Sequence, residues 1–351
     1  MKGGYYINEG ERDPTMDQDF SQYDDAPQND PLFLQGHALQ VLPTVPDESV
    51  DMVFADVPLF MTRGPRTDEI GRETSWQAYI DDLVAVSREI YRVLKPTGSF
   101  WLRSYDLYLH HSLVMIPQRL ALRLTGDEVG FTLRNQVVWE KPANTPDNAQ
   151  KRLKGGWNPL FFLTKQQDGY YQNDSAIRRA PKRGDHIPKT SAVSATGISG
   201  RVYRQRILQS PDLSLKEKEN ACAALDEMMS RVQHGEIPDF RMVIRGMYPR
   251  LLQRRSHRSK ELLEKGYYFI TYSNRGARLN DVWSLNQTEA IDLMMSFTCP
   301  SDGVFLDPFA TGISASVAQS HGVKSVQICP SEEALEKAKH TYIETKVTYL
   351  F

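Results

Sequence analysis

Apolar positions along this chain fall into two alternating rhythms. Short, nearly continuous runs have the length of strands: Val50 to Asp56, Ser99-Phe100-Trp101-Leu102, Asn135 to Trp139, Pro159 to Thr164, Phe305-Leu306 and Ser325 to Ile328. Runs of this kind predict strands buried on both faces. Between them, Gln77 to Leu94, Leu213 to Val232, Leu251 to Lys265 and Ser314 to Ser320 read as helices, with the Gln77 stretch showing clear helical periodicity. From Leu32 the chain reads as strand, short helix over Leu39 to Val45, a turn at Pro46-Asp47-Glu48-Ser49, and a strand into Asp56. Lys95-Pro96-Thr97-Gly98 predicts the turn that ends the Gln77 helix, and Glu332 and Glu333 open a last helix where its dipole favours acids. Strands alternating with helices predict an α/β fold with a parallel, doubly wound sheet. No internal repeat interrupts the pattern.

Composition adds bounds. The 351 residues suffice for one large α/β domain with an insertion, or for two domains. No apolar run approaches the roughly 20 residues of a membrane span, and the N-terminus lacks a signal-like stretch, so no membrane partner is expected. Cys222, Cys299 and Cys329 are widely separated and odd in number. That pattern predicts a reducing compartment, cytoplasmic (or nuclear in a eukaryote), with buried thiols and no zinc or other metal site.

Charge changes the picture more. The net charge of −2 conceals a basic segment: Lys141 to Lys265 holds 24 Lys and Arg against 13 Asp and Glu, a net +11, while the rest of the chain is at −13. A basic insertion in an acidic protein is the footprint of a polyanion partner, DNA above all, with a solvated loop region as the plain alternative. Within it Arg178, Arg179, Lys182, Arg183, Arg250, Arg254, Arg255 and Arg258 are the candidate phosphate contacts. Residues 1–30 are acidic and poor in aliphatics, which predicts a disordered tail that docks on a basic surface.

Two loops carry candidate chemistry. Ala55-Asp56-Val57-Pro58-Leu59-Phe60 follows one strand and Val304-Phe305-Leu306-Asp307-Pro308-Phe309-Ala310-Thr311-Gly312 follows another. Together they resemble the DNA amino-methyltransferases that act on adenine N6 or cytosine N4. That family carries an (Asp/Asn/Ser)-Pro-Pro-aromatic catalytic loop and a Leu-Asp-Pro-Phe-x-Gly-x-Gly loop for S-adenosylmethionine. The order here, catalytic loop first, is similar to the beta group. Tyr91 to Ser99, Val137 to Pro142 and Asp281-Val282-Trp283 echo further family segments, so the resemblance covers roughly residues 32–142 and 267–342.

The resemblance implies a Rossmann-like methyltransferase fold with an inserted target-recognition region. Its expected divisions are the tail 1–30, the catalytic-loop half 31–142, the basic insertion 143–266 and the cofactor-loop half 267–351. It also assigns roles. An exocyclic amino group is a weak nucleophile because its lone pair is delocalised into the ring. Asp56 and the Val57 carbonyl would accept its hydrogen bonds, with Pro58 shaping the loop and Leu59 in the slot of the aromatic that stacks on the flipped base. Asp56 alone would also suit a turn cap. On the cofactor side Asp307, Pro308, Phe309, Thr311, Gly312 and Cys329 occupy the S-adenosylmethionine positions.

The chain departs from the family at three places: the aromatic slot, the glycine turn and the ribose position. Leu59 replaces an aromatic, Thr311 and Ile313 fall on the two turn glycines, and Cys329 stands where an acid receives the ribose hydroxyls. A β-branched residue resists the backbone freedom that the turn uses. Three readings follow: a DNA-positioning subunit weak in cofactor binding alone, paired with a related methyltransferase chain or with itself; an active site-specific methyltransferase; or another Rossmann-type enzyme, for which no G-x-G-x-x-G or Walker loop is present. Trp139 and Trp283 read as core aromatics.

Overall fold

A computed structural model describes residues 30–60, 70–145, 151–179, 200–247, 257–271 and 277–349. The acidic residues before Asp30, and Lys182, Arg183, Arg250, Arg254 and Arg255, lie outside the described residues. The chain forms two compact units, one of Met1–Ala176 with Asn280–Phe351 and one of Ile177–Leu279.

The first unit opens with β1 (Leu32–Gln35), α1 (Ala38–Val41), β2 (Val50–Asp56), α2 (Trp76–Val93) and β3 (Leu94–Arg103). A small hairpin of β4 (Tyr108–Leu109) and β5 (Ser112–Leu113) leads to α3 (Ile116–Thr125), β6 (Thr132–Glu140) and β7 (Trp157–Thr164). The second unit contributes β8 (Arg178–Arg179), α4 (Gly200–Gln209), α5 (Leu215–Gln233), β9 (Phe240–Ile244), α6 (His257–Lys265), β10 (Tyr267–Thr271) and β11 (Ala277–Arg278). The chain then returns to the first unit through β12 (Val282–Trp283), α7 (Gln287–Thr298), β13 (Val304–Asp307), α8 (Ile313–Ser320), β14 (Lys324–Cys329) and α9 (Glu332–Tyr349).

One eight-stranded sheet organises the first unit, in the order β1-β14-β13-β2-β3-β7-β6-β12. Every neighbouring pair is parallel except those of β7, which runs antiparallel to both β3 and β6. The run Val50–Ala55 is buried throughout because both faces of the sheet are covered. Val53, Ala55, Phe100 and Leu102 join one core with Tyr79 and Leu83 of α2 and Leu120 and Leu124 of α3. On the other face Trp101 Nε1 donates to Thr298 Oγ1 of α7 at 2.8 Å. Ser75 caps α2, and Asn286 with Glu289 forms a capping box on α7, so both covering helices start at defined points.

Several expectations are revised by these elements. Lys95–Gly98, expected as a turn, lies inside β3, which begins at Leu94 as soon as α2 ends. The β2–β3 register shifts between Val50 and Met52, so this stretch forms an irregularity in the ladder, the setting in which a strand tolerates proline and glycine. Buried Asp51 anchors it, accepting from Lys95 Nζ at 2.7 Å and from the Val304 N–H at 2.9 Å. The compact units also divide elsewhere than 142/143 and 266/267. β7 pairs with β3 and β6 and so belongs to the large sheet, while β10 pairs with β9 and stays in the second unit.

The second unit has its own core. Tyr203 of α4, Leu225 of α5, and Phe240 and Met242 of β9 pack together, with the Met242 N–H donating to the Tyr203 hydroxyl. A capping box of Ser214 and Glu217 starts α5. Among the described residues no helix is long and apolar enough to cross a membrane.

Candidate active site at the carboxyl ends of the strands

In an open parallel sheet the crevice beyond the carboxyl ends of the strands is where ligands bind. β2 and β13 are neighbours there and end in Asp56 and Asp307. The two loops singled out in the sequence are thus brought side by side.

Asp56 sits among three donors. The Tyr105 hydroxyl donates to Oδ1 at 2.6 Å, Arg103 Nη1 lies 3.2 Å from Oδ2, and Gln287 Nε2 donates to Oδ2 at 3.4 Å. Burial pushes its carboxyl above the ordinary aspartate value, against the opposing pull of the Arg103 charge and the Tyr105 hydrogen bond. Tyr105 is pushed up in turn, first by burial and then by the neighbouring Asp56 charge. The Arg103 guanidinium lies 4.0 Å from the Trp139 ring centroid, and Trp139 is itself fixed by its Nε1 donating to the Leu285 carbonyl at 2.7 Å. Trp139 is a core aromatic, as expected, and also the platform that aims Arg103.

The rest of the catalytic loop is held from α2. Val57 is buried and its N–H continues the ladder to the Arg103 carbonyl at 3.2 Å. The Pro58 carbonyl accepts from the Tyr79 hydroxyl at 2.7 Å, and the Phe60 ring packs on Tyr79 at 5.5 Å between centroids. Leu59 is left 56% exposed at the tip. Gly71, at φ +96°, backs onto it so closely that a Cβ there would stand 2.6 Å from the Leu59 carbonyl oxygen.

The second loop is closed inward. Asp307 is buried, accepts the Phe309 N–H at 3.0 Å and the Ser314 hydroxyl at 2.6 Å, and its carboxyl is raised to about 7, chiefly by burial. Ser314 Oγ also lies 2.8 Å from the Gln327 side-chain oxygen. A single hydroxyl proton serves both contacts only if a protonated Asp307 supplies the second or the Gln327 amide is reversed. Pro308 is buried, Phe309 half-buried against the core, and Thr311 exposed. Gly312 takes φ +94° and turns its Cα against α9, where a Cβ would meet the Ala338 carbonyl oxygen at 2.0 Å. Ile313 follows as the first residue of α8. Cys329 is fully buried with Ala310, Leu335 and Ala338, its thiol pushed up to about 12 by burial.

Of the candidate phosphate contacts, Arg178 and Arg179 form β8, paired with Ala277–Arg278, and Arg258 is exposed in the first turn of α6. Sequence reasoning missed Arg103, Tyr105, Tyr79 and Gln287. The first two carry a usable signal, since they close the run Ser99 to Leu102 at the end of a strand where ligand-facing residues gather. Gln287 reaches Asp56 across 231 positions and has no local signature.

Comparison with known proteins places this geometry. A family profile described as DNA methylase, of the N6/N4 methyltransferase type, matches residues 50–340. The type II methyltransferase M.SfiI of Streptomyces fimbriatus is 33% identical over 192 residues, covering 50% of this chain and 45% of that protein. M.Cfr9I of Citrobacter freundii is 29% identical over 186 residues, covering 44% of this chain and 61% of the relative. The chain thus spans about half the length of these curated relatives. The solved structure of the PvuII DNA methyltransferase, described as cytosine-N4-specific, superposes with a TM-score of 0.51 at 15% identity, covering 89% of this chain and 86% of that one. That likeness shows a shared α/β methyltransferase fold. On the profile match over most of its length, the chain belongs to the N6/N4 DNA methylase family.

Proposed function

We infer that this chain is a DNA-handling member of the family that keeps an amino-group acceptor at Asp56 but binds S-adenosylmethionine poorly alone, and so works beside an active partner chain. The observation that carries the reading is the sealed end of β14: Cys329 has no exposed surface and packs on Ala310, Leu335 and Ala338. A thiol in that setting offers nothing to a ribose diol. The neighbouring turn supports the same view, because the backbone space at Gly312 is filled by α9 and Ile313 projects a β-branched side chain from the next position. The residues present do not fit the cofactor at these positions.

The acceptor side is different in kind. Asp56 is already hydrogen-bonded by side-chain donors, Tyr105 and Gln287, which an incoming base amino group would replace donor for donor. Burial raises the Asp56 carboxyl, and the Arg103 charge opposes that rise. The second unit, with Arg178, Arg179 and Arg258, is the part of the chain assigned to target recognition under this reading, and DNA is the substrate class.

A second reading, an active site-specific amino-methyltransferase, is favoured by this prepared acceptor. Methyl transfer from labelled S-adenosylmethionine to mixed-sequence DNA separates the two. With the purified chain alone, the expected signal does not exceed that of its Asp56→Ala variant. Robust transfer that is lost on Asp56→Ala would overturn the partner-dependent reading and establish the second.

A further inference from the structure

The loop that follows Asp56 is braced from a direction that its contacts with the sheet do not explain. Its entry is pinned by the Val57 N–H on the Arg103 carbonyl, and its Pro58 carbonyl by the Tyr79 hydroxyl of α2. The tip meets a third element, the turn 70–73 that leads towards α2. Ile70 sinks into the core shared with Tyr79 and Leu83. Gly71, at φ +96°, lies against the back of the tip, where a Cβ would stand 2.6 Å from the Leu59 carbonyl oxygen and 3.5 Å from the Pro58 Cβ.

One side chain fixes that turn. Both carboxyl oxygens of Glu73 accept from the Gly71 N–H, each at 3.0 Å, which holds the glycine in its left-handed conformation. On its other side Glu73 is hydrogen-bonded to Asp82, two turns into α2. Two carboxyls bond to each other only through a retained proton, and burial raises both above their ordinary values, as such sharing requires. Glu73 thus links the backbone behind Leu59 to a helix held firmly by its buried Tyr79, Ile80 and Leu83. Starting α2 does not need Glu73, because Ser75 Oγ already accepts from the Ala78 N–H at 3.1 Å.

We propose that Glu73 is a positioning residue for the acceptor loop: by holding the Gly71 N–H and Asp82 together, it keeps the turn 70–73 pressed on Leu59 and so fixes the backbone that receives the target amino group. Without this grip the loop stays attached through Val57 and Tyr79 but is free at its tip, and a displaced acceptor costs binding far more than a displaced surface residue does. The proposal rests on the reading that this loop receives a base, whereas the brace itself is a property of the fold.

The test makes two measurements on the full chain and its variants, with thermal melting alongside. One is hydrogen exchange of the Leu59 and Gly71 amides; the other is anisotropy of a labelled duplex, either fully paired or carrying one mismatched base. Glu73→Ala frees the Gly71 N–H, so both amides exchange about tenfold faster and the preference for the mismatched duplex falls about tenfold. Affinity for the paired duplex holds, because phosphate contacts set it. Glu73→Gln restores both readings, since its amide oxygen accepts from Gly71 and its NH2 group donates to Asp82 with no shared proton. Asp82→Ala leaves the Gly71 bond and gives the same changes at about threefold, and it decides the question if Glu73→Ala melts early. Wild-type exchange and preference in normally melting variants would overturn the proposal, as would equal losses on both duplexes or a failure of Glu73→Gln to rescue. A wild-type chain with no preference for the mismatched duplex would remove the functional reading, and the exchange rates would then judge the brace by themselves.

Discussion

Two aspartates end adjacent parallel strands, yet their surroundings are opposite. Asp56 faces side-chain donors: a phenol, an amide and a guanidinium that is itself seated on Trp139. Asp307 faces its own loop and Ser314, and the ground beyond it is closed by α9 and the apolar cluster around Cys329. One end of the crevice keeps polar groups that a ligand can replace, whereas the other has spent its backbone freedom on packing. The comparison teaches that two loops alike in sequence, each an aspartate at the end of a parallel strand, are set apart by what packs behind them, side-chain donors at Asp56 and α9 at the Asp307 turn.

The largest effect should come from the closed side. Gly312→Ala adds a Cβ at a left-handed position and drives it into the Ala338 carbonyl, so urea denaturation should show a loss of about 2–4 kcal/mol. A loss of only about 1 kcal/mol, the strain alone, would mean that the turn has room and the contrast fails. Next is Asp307→Asn. The Asp307 carboxyl is raised from 3.8 to about 7 in the fold, so the folded protein binds the proton more tightly than the unfolded chain. Its contribution is therefore favourable at low pH, erodes as pH climbs from about 4 to 7, and stays lost above. The asparagine variant escapes this erosion, and its stability relative to wild type should rise by about 4 kcal/mol between pH 4 and 8. A pH-independent difference would contradict the burial assigned to Asp307.

Smaller effects sharpen the open side. Leu59→Tyr restores a ring at an exposed tip, and binding to a duplex with a mismatched target base should tighten by about 1 kcal/mol, the lower end of base–aromatic stacking. No gain would place the base elsewhere. Tyr105→Phe removes one donor from Asp56, so the Asp56 carboxyl should rise further and stability should fall by about 1 kcal/mol. NMR titration of Asp56 checks the direction, and an unmoved carboxyl would argue that Tyr105 does not set its charge.

Much of the scaffold was legible because its signals are local. The all-buried run of β2, the helical period of α2 and the Asp-Pro-Phe turn declare themselves within a few positions, whereas α3 and α7 were not read from the sequence. The partners of Asp56 were not legible, since Arg103, Tyr105 and Gln287 lie 47, 49 and 231 positions away and are assembled only by strand order. Gly312 shows a different limit. Sequence marks it as a turn glycine, and the positive φ agrees, but only packing reveals that its missing side chain makes way for α9. That the segment after residue 142 returns to the large sheet was not legible either, because β7 joins as an antiparallel strand, a choice fixed by its neighbours β3 and β6.

The central claim is that the donor end of the crevice is closed while the acceptor end is ready. Titration calorimetry of the isolated chain with S-adenosylmethionine tests it most directly. Heats indistinguishable from dilution up to about 1 mM ligand, a limit of roughly −4 kcal/mol, are the predicted result. Saturable one-to-one binding in the micromolar range, abolished by Asp307→Ala, would contradict it and return the chain to the active enzymes.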